Sequence, residues 1–444
     1  MKLSRRSALT GIGATLAAAS GLGFRPLYAQ QAAPITIVIN QSPWLAGFQR
    51  TVELYEKETG NRVELDVNPF AGSLEKQRNS VRAKDGSTDI LIMNSGWFAE
   101  MYAGGFVTPT TDIDSSFDLA PGVYNLGGTV YYNAEKKTAT RDGKLMSVPI
   151  SPLIPLLYYR GDLYQESGLS VPKTFAELEA NAKALNKDGR YGIVQRGARG
   201  AHAVAYDFYP YLYGFGGGIF ADQGNNDYSV TLNSAEGKAA LDYYIRLARE
   251  AGDPRTAAND QAEVIQQMVT NKAGHIMLVV AASAQMDDRS KSAVVDKVEY
   301  APVPSVEGFP SAPGLGHWLA GISHNVPDAR KEAALTFLKW FQTKEAQTAT
   351  AEAGGIPISE EVLRGPLSQE RKYRWMQPLA DSLPNAVNIY QFPEAAEVIA
   401  VLELGLNRAI AGEIDTASSL NLMSDEIAKI MGGYNYKTGS LPKL

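Results

Sequence analysis

Three strand-length apolar runs separated by helical patterns constrain the N-terminal part of the chain more than any other feature. Residues 35–39 form a β-branched run, and Phe48, Val52 and Tyr55 then fall on one helical face until Thr59-Gly60-Asn61 stops it. Val63, Leu65 and Val67 alternate as a second strand, and a polar helix around 74–83 leads to a third at 89–93. Two strand–helix–strand crossovers in succession predict a parallel, doubly wound sheet. Ligands of such sheets sit beyond the carboxyl ends of the strands. That rule selects the loops 40–44, 68–73 and 94–98, which hold Asn40, Gln41, Ser42, Trp44, Phe70, Asn94, Ser95 and Trp97. Amides and hydroxyls that donate and accept, mixed with aromatic rings, suit a polyhydroxylated ligand whose C–H faces pack on the rings.

The stretch 146–185 begins a second unit. Leu156, Leu157, Tyr158 and Tyr159 make an apolar strand run, preceded by Pro149, Pro152 and Pro155. Pro172 then stops the chain, and Thr174 with Glu177 has the spacing of a capping box. Behind it Phe175, Leu178, Ala182 and Leu185 share a helical face. The order Tyr158-Tyr159-Arg160-Gly161-Asp162-Leu163, Gly168-Leu169, Pro172-Lys173-Thr174-Phe175 and Glu177-Leu178 resembles a signature of the family 1 extracellular solute-binding proteins. These are the sugar-capturing subunits of ABC importers, and in that family the segment opens the second lobe after the first hinge crossing. Two later stretches match in the same order. Gly314-Leu315-Gly316-His317-Trp318-Leu319-Ala320-Gly321-Ile322-Ser323 resembles the strand that returns to the first lobe. The helical 328–342, with Ala333, Ala334, Phe337, Leu338 and Phe341, precedes a Gly354-Gly355-Ile356-Pro357 turn, as in the family.

The resemblance implies an α/β fold of the type II periplasmic binding protein kind: two doubly wound lobes joined by hinge crossings, with a ligand cleft between them. An N-terminal lobe of 34–150 plus 319–372 would face a C-terminal lobe of 151–318 plus 373–444. It also implies cleft positions. Tyr206 and Asp207 would begin a helix facing the cleft, Gly316, His317 and Trp318 would lie on the return strand, and Tyr390 would precede the closing helix of Ile399, Leu402, Leu406 and Ala409. With Ser42, Trp44, Phe70, Ser95, Trp97, Ser151 and Arg196 they make up the expected site. Asp207 can accept from vicinal hydroxyls, His317 can donate and accept, and Trp318 can stack on a sugar face. Arg196, facing the cleft, would instead suit an acidic or sulfonated sugar. The family often places an aromatic contact after the strand at 276–280, where this chain has only Ala281-Ala282-Ser283.

Other chemistries find little support. The chain has no cysteine, which removes disulfides, thiolate nucleophiles, Cys-ligated zinc and iron–sulfur clusters. Its net charge of −6 argues against a nucleic-acid partner. There is no H-x-x-x-H, G-x-S-x-G or P-loop, and His202, His275, His317 and His324 lack ligand spacing. Gly214, Gly216, Gly217 and Gly218 have no βαβ flanks for a phosphate cradle, and the acidic 222–227 lacks EF-hand spacing. No metal or cofactor is expected. The competing class is an exported glycosidase, whose two carboxylates need no fixed separation.

Residues 1–29 resemble a Tat-type signal peptide, with export by the Sec route as the alternative. Arg5-Arg6 precedes a mildly apolar stretch from Ala8 to Gly23, and Leu27-Tyr28-Ala29 offers a cleavage site before Gln30. Its glycines and Arg25 argue against a membrane anchor, and without cysteine there is no lipobox. Cleavage would take the charge to about −10. A monomer free in the periplasm, delivering to permease subunits, is the resulting expectation.

Overall fold

The computed structural model describes residues 34–84, 86–200 and 203–444. The expected leader at 1–29 and His202 lie outside the described residues. Strand Ile35–Asn40, helix Leu45–Thr59, strand Val63–Asn68, helix Phe70–Arg82 and strand Ile90–Asn94 follow one another as the apolar pattern predicts. The first helix stops because Gly60 takes φ 73°, a left-handed conformation that costs a residue with a Cβ roughly 1–2 kcal/mol. Strand 35–40 runs parallel to both neighbours, with Ile37 beside Leu65 on one side and Ile90 on the other. Its β-branched side chains are buried on both faces, as a sheet covered by helices requires.

The sheet is mixed rather than wholly parallel. Strand Gly316–Ser323 runs antiparallel to 90–94, with Trp318 beside Asn94, and strand Ser147–Leu153 runs antiparallel to 316–323, with Ser151 beside Trp318. Chain direction explains this. Strand 147–153 leaves at the carboxyl end of the parallel strands, and 316–323 returns by the same end, so it must point the other way. Both crossings therefore pass the end of the sheet where a ligand would sit.

Past Ile154 the chain enters a second sheet through Pro155–Arg160. Strands Val298–Ala301, Pro155–Arg160, Ala273–Val279 and Tyr191–Val194 lie side by side in that order. Tyr158 is fully buried there, and its hydroxyl donates to the Val279 carbonyl at 2.6 Å. Helix Phe175–Leu185 starts at the Thr174–Glu177 capping box, hydroxyl and carboxylate each taking a backbone N–H. Helix Ala395–Ala411 packs against helix Ala203–Gly214, and its buried residues include Val398, Leu402 and Leu406.

Candidate ligand-binding site

A cavity of about 460 Å³ lies between the two sheets, within the size range of small-molecule sites. Its first wall is the carboxyl edge of the first sheet: Asn40 to Trp44, Phe70, Asn94, Ser95 and the start of the return strand, Gly316 to Trp318. The facing wall is Arg196, Arg199, Gly200, Ala203, Tyr206, Asp260 and Gln261, with Val279 and Ala281 beside them and Leu153 at the crossing.

Trp318 is the hub of the first wall. Its ring centroid lies 5.6 Å from Trp44, 6.0 Å from Phe70 and 5.8 Å from Trp97. Such pairs add roughly 0.5–1.5 kcal/mol each beyond burial, so the aromatic surface is set before any ligand arrives. His317 is fully buried, its ring 5.4 Å from Phe98, and its Nδ1 lies 3.4 Å from the Leu315 carbonyl. A carbonyl can only accept, so Nδ1 carries the proton and Nε2 keeps its lone pair. Burial drives the His317 pKa down to about 3 against the opposing pull of the Leu315 carbonyl, so the ring is neutral. Asn40 Nδ2 donates to the Gln41 carbonyl at 2.7 Å. Among the described residues His317 Nε2, Asn40 Oδ1 and Trp44 Nε1 have no hydrogen-bond partner, although all three are buried.

Gly316 is there for space. A Cβ on it would sit 2.5 Å from the Leu153 carbonyl oxygen and 2.6 Å from the Tyr206 hydroxyl. That hydroxyl donates to the Leu153 carbonyl and lies 3.4 Å from the carbonyl of Gly314, so Tyr206 bridges both crossing segments.

In the facing wall, residues 195–200 are irregular chain after strand 191–194, Ala203 and Tyr206 stand on helix 203–214, and Gln261 starts helix 261–269. The Gly197 and Ala198 N–H groups donate to the Asn259 carbonyl, each at 3.0 Å. Asn407 Nδ2 donates to the carbonyls of Gly197 at 2.7 Å and Ala257 at 2.9 Å. The Tyr244 hydroxyl donates to the Arg196 carbonyl, and the buried Glu403 carboxylate accepts from the N–H groups of Gly200 and Ala205. Burial pushes the Glu403 carboxyl up, and the bonds from Ala205 and Gly200 oppose that.

Arg196 Nη2 donates to Asp207 Oδ1, and the two side chains are only 5% and 4% exposed. Burial opposes the Arg196 charge, but the adjacent Asp207 outweighs it and holds the guanidinium protonated. Burial likewise pushes the Asp207 carboxyl up, with Arg196 opposing. An ion pair is the arrangement that leaves neither charge uncompensated. Arg196 Nε remains without a partner among the described residues.

Nine of the expected residues line the cavity: Ser42, Trp44, Phe70, Ser95, Arg196, Tyr206, Gly316, His317 and Trp318. Four do not. Trp97 stands behind Phe70 and Trp318, its Nε1 donating to Gln77 at 3.2 Å. Ser151 is buried within the sheet beside Trp318. Asp207 is held behind Arg196, and Tyr390 packs against Tyr209 and Phe392. Sequence reasoning missed Arg199, Gly200, Asp260 and Gln261. One signal was present: Asp260 and Glu263 form a capping box opening helix Gln261–Val269, so a helix start meets the cavity there. After strand 273–279 the lining is Val279 and Ala281, with no aromatic ring, as the small residues there imply.

The model of the family described as bacterial extracellular solute-binding protein matches residues 40–348. A mannitol-binding protein of Pseudomonas aeruginosa is 24% identical over 340 residues, covering 74% of each chain. The crystal structure of an ABC transporter solute-binding protein from Agrobacterium radiobacter K84 in complex with ribitol superposes with a TM-score of 0.77 at 25% identity, over 90% of this chain and 99% of that one. Maltose-bound MalE3 of T. maritima gives a TM-score of 0.78 at 23% identity, over 90% and 100% of the two chains.

Proposed function

The chain belongs to the bacterial extracellular solute-binding protein family, and from that premise we propose that it captures a carbohydrate or polyol by lobe closure and delivers it to the permease of an ABC importer. Its fold is that of the type II periplasmic binding proteins. The observation that carries the reading is the cavity itself. Aromatic rings at the edge of one sheet face polar residues of the opposite wall across a single space. A ligand that bridges the walls makes contacts only the closed arrangement offers, and so shifts the population toward it. Selectivity follows from hydrogen bonding, because a bond left unmade in a closed site costs ~1–3 kcal/mol. The lobes would turn about the crossings near 150 and 318, and the ligand contacts would come from the nine lining residues above.

The protein works in the periplasm in this reading, exported by residues 1–29. No helix among the described residues is long and apolar enough to cross a membrane. Binding rather than catalysis is favoured by the lining, in which the one carboxylate among the described residues is Asp260. Glycoside hydrolysis needs two carboxylates flanking one bond. Calorimetric titration with D-mannitol, ribitol, D-glucose and maltose tests the proposal. Saturable binding of at least one, without turnover of a chromogenic glycoside, is expected; no heat from any of them, or hydrolysis of the glycoside, contradicts it.

A further inference from the structure

We propose that Ile399 is a stop on which the two lobes meet, a positioning residue that sets how long a bound ligand is retained although it does not line the cavity. This rests on the binding reading above and adds to it a residue acting from outside the site. Ile399 is half-buried on helix Ala395–Ala411, which packs against helix Ala203–Gly214 of the second lobe. Gly96 stands in the first-lobe loop after strand Ile90–Asn94. A Cβ built on it would lie 3.0 Å from Ile399 Cδ1 and 3.3 Å from Asn94 Oδ1. The Ile399 side chain therefore reaches across from one lobe to the other. The φ of Gly96 lies outside the left-handed region, so backbone conformation does not call for glycine there. The missing side chain makes room for the isoleucine.

The loop that Ile399 meets is part of the first wall. Asn94 and Ser95 line the cavity. The Gly96 N–H donates to Asn94 Oδ1 at 2.9 Å, and the Ser95 N–H donates to the His317 carbonyl at 3.1 Å. The helix that carries Ile399 also holds the second wall. Glu403, one turn on, accepts from the N–H groups of Gly200 and Ala205. Asn407, a turn further, donates to the carbonyls of Gly197 and Ala257. Residues spaced by four lie along one stripe of a helix, so a single stripe ties the second wall and rests on the first. When the walls separate, the ties of Glu403 and Asn407 carry the helix with the second wall, and the contact of Ile399 with Gly96 parts. Its stabilisation thus falls on the closed arrangement, which is the one that retains ligand.

The test is stopped-flow tryptophan fluorescence, reading association and release of whichever of D-mannitol, ribitol, D-glucose and maltose binds the wild-type protein. Ile399→Val deletes Cδ1 and keeps the branched Cβ. It is expected to speed release about threefold and to leave the association rate within about twofold. Gly96→Ala, whose methyl would press on Cδ1, is expected to speed release about threefold when Ile399 is present. In the Ile399→Val background the same methyl enters the vacated space and should speed release no further. Unchanged release in Ile399→Val, or two substitutions whose effects simply multiply, overturns the inference and leaves the binding reading standing. A lower urea midpoint with unchanged release would make Ile399 a packing residue and overturns it equally. If one variant does not fold, the other decides, and unchanged release there overturns the inference. Silence of the wild-type protein with all four compounds overturns the binding reading, and the inference with it.

Discussion

Where the first wall of the cavity is the carboxyl edge of a sheet, the facing wall joins an irregular segment to two helix starts and is tied down by side chains from distant parts of the sequence. In the first, strand register makes Asn94, Trp318 and Ser151 neighbours, and the backbone ladder holds them. In the second, Glu403 and Asn407 reach about two hundred positions back to hold Gly200, Ala205 and Gly197. Single hydrogen bonds of this kind stabilise by about 0.5–1.5 kcal/mol net, so the second wall has fewer and more separable supports than a ladder. In the proposed function the walls would have different duties, the sheet edge offering a fixed aromatic surface and the tied wall the more adjustable groups.

The sharpest way to break this contrast is Arg196→Met. It strands Asp207 in the interior without a cation and should lower stability by about 3–5 kcal/mol while abolishing binding. Urea unfolding measures the first effect and calorimetry the second. A loss below about 1 kcal/mol would mean that the pair does not hold the second wall. Glu403→Ala comes next, with an expected loss of about 1–3 kcal/mol and roughly tenfold weaker binding. Hydrogen exchange should speed up around 197–205 and stay unchanged in strands 35–40 and 90–94. Equal loosening of both walls would erase the distinction.

Among the described residues two histidines are fully buried, and they sharpen the comparison further. His275 has both ring nitrogens engaged, Nδ1 with the Gly192 carbonyl at 2.7 Å and Nε2 with the Tyr164 hydroxyl at 2.5 Å. His317 has one nitrogen committed, and the other has no hydrogen-bond partner among the described residues. His275→Leu should therefore cost about 1–3 kcal/mol of stability. His317→Leu should change stability by less than about 1 kcal/mol and weaken ligand binding by roughly fivefold. Reversed outcomes would exchange the structural and ligand-facing roles.

The smallest effect concerns pH. Burial lowers the pKa of His275 to about 4 and of His317 to about 3. Both then stay neutral in the folded protein while the unfolded chain takes up protons near the ordinary value of about 6.5. Their contribution is complete above that pH and shrinks as pH falls from about 6.5 toward 4, because the unfolded state binds more protons there. Urea midpoints should fall across that window. Affinity for a neutral ligand should change by less than about twofold between pH 8 and 5, since His317 keeps its lone pair throughout. A steep drop in affinity near pH 6.5 would place a charge on the ring.

The same contrast explains what the sequence made legible. Strand–helix alternation located the first sheet, and the strand-end rule then brought Ser42, Trp44, Phe70 and Ser95 to the cavity. It could not say which way a ring turns, so Trp97, in the right loop, faces Gln77 instead. The mixed direction of the sheet depends on how the crossings enter it, which local periodicity does not encode. Arg199 and Gly200 stand on a segment with little periodicity, held through its backbone by Glu403, Asn407 and the Asn259 carbonyl, whereas Asp260 and Gln261 open a capped helix whose approach to the cavity local sequence does not encode. Arg196 and Asp207 were both legible as candidates. That each would take the other as its partner follows only from the fold.

A crystal structure of the mature chain with the tightest-binding neutral polyol tests the account most directly. It should show hydroxyls within hydrogen-bonding distance of His317 Nε2 on one wall and Arg196 Nε on the other, with a carbon face against Trp318. A ligand seated outside the cavity, or held by one wall alone, would contradict it.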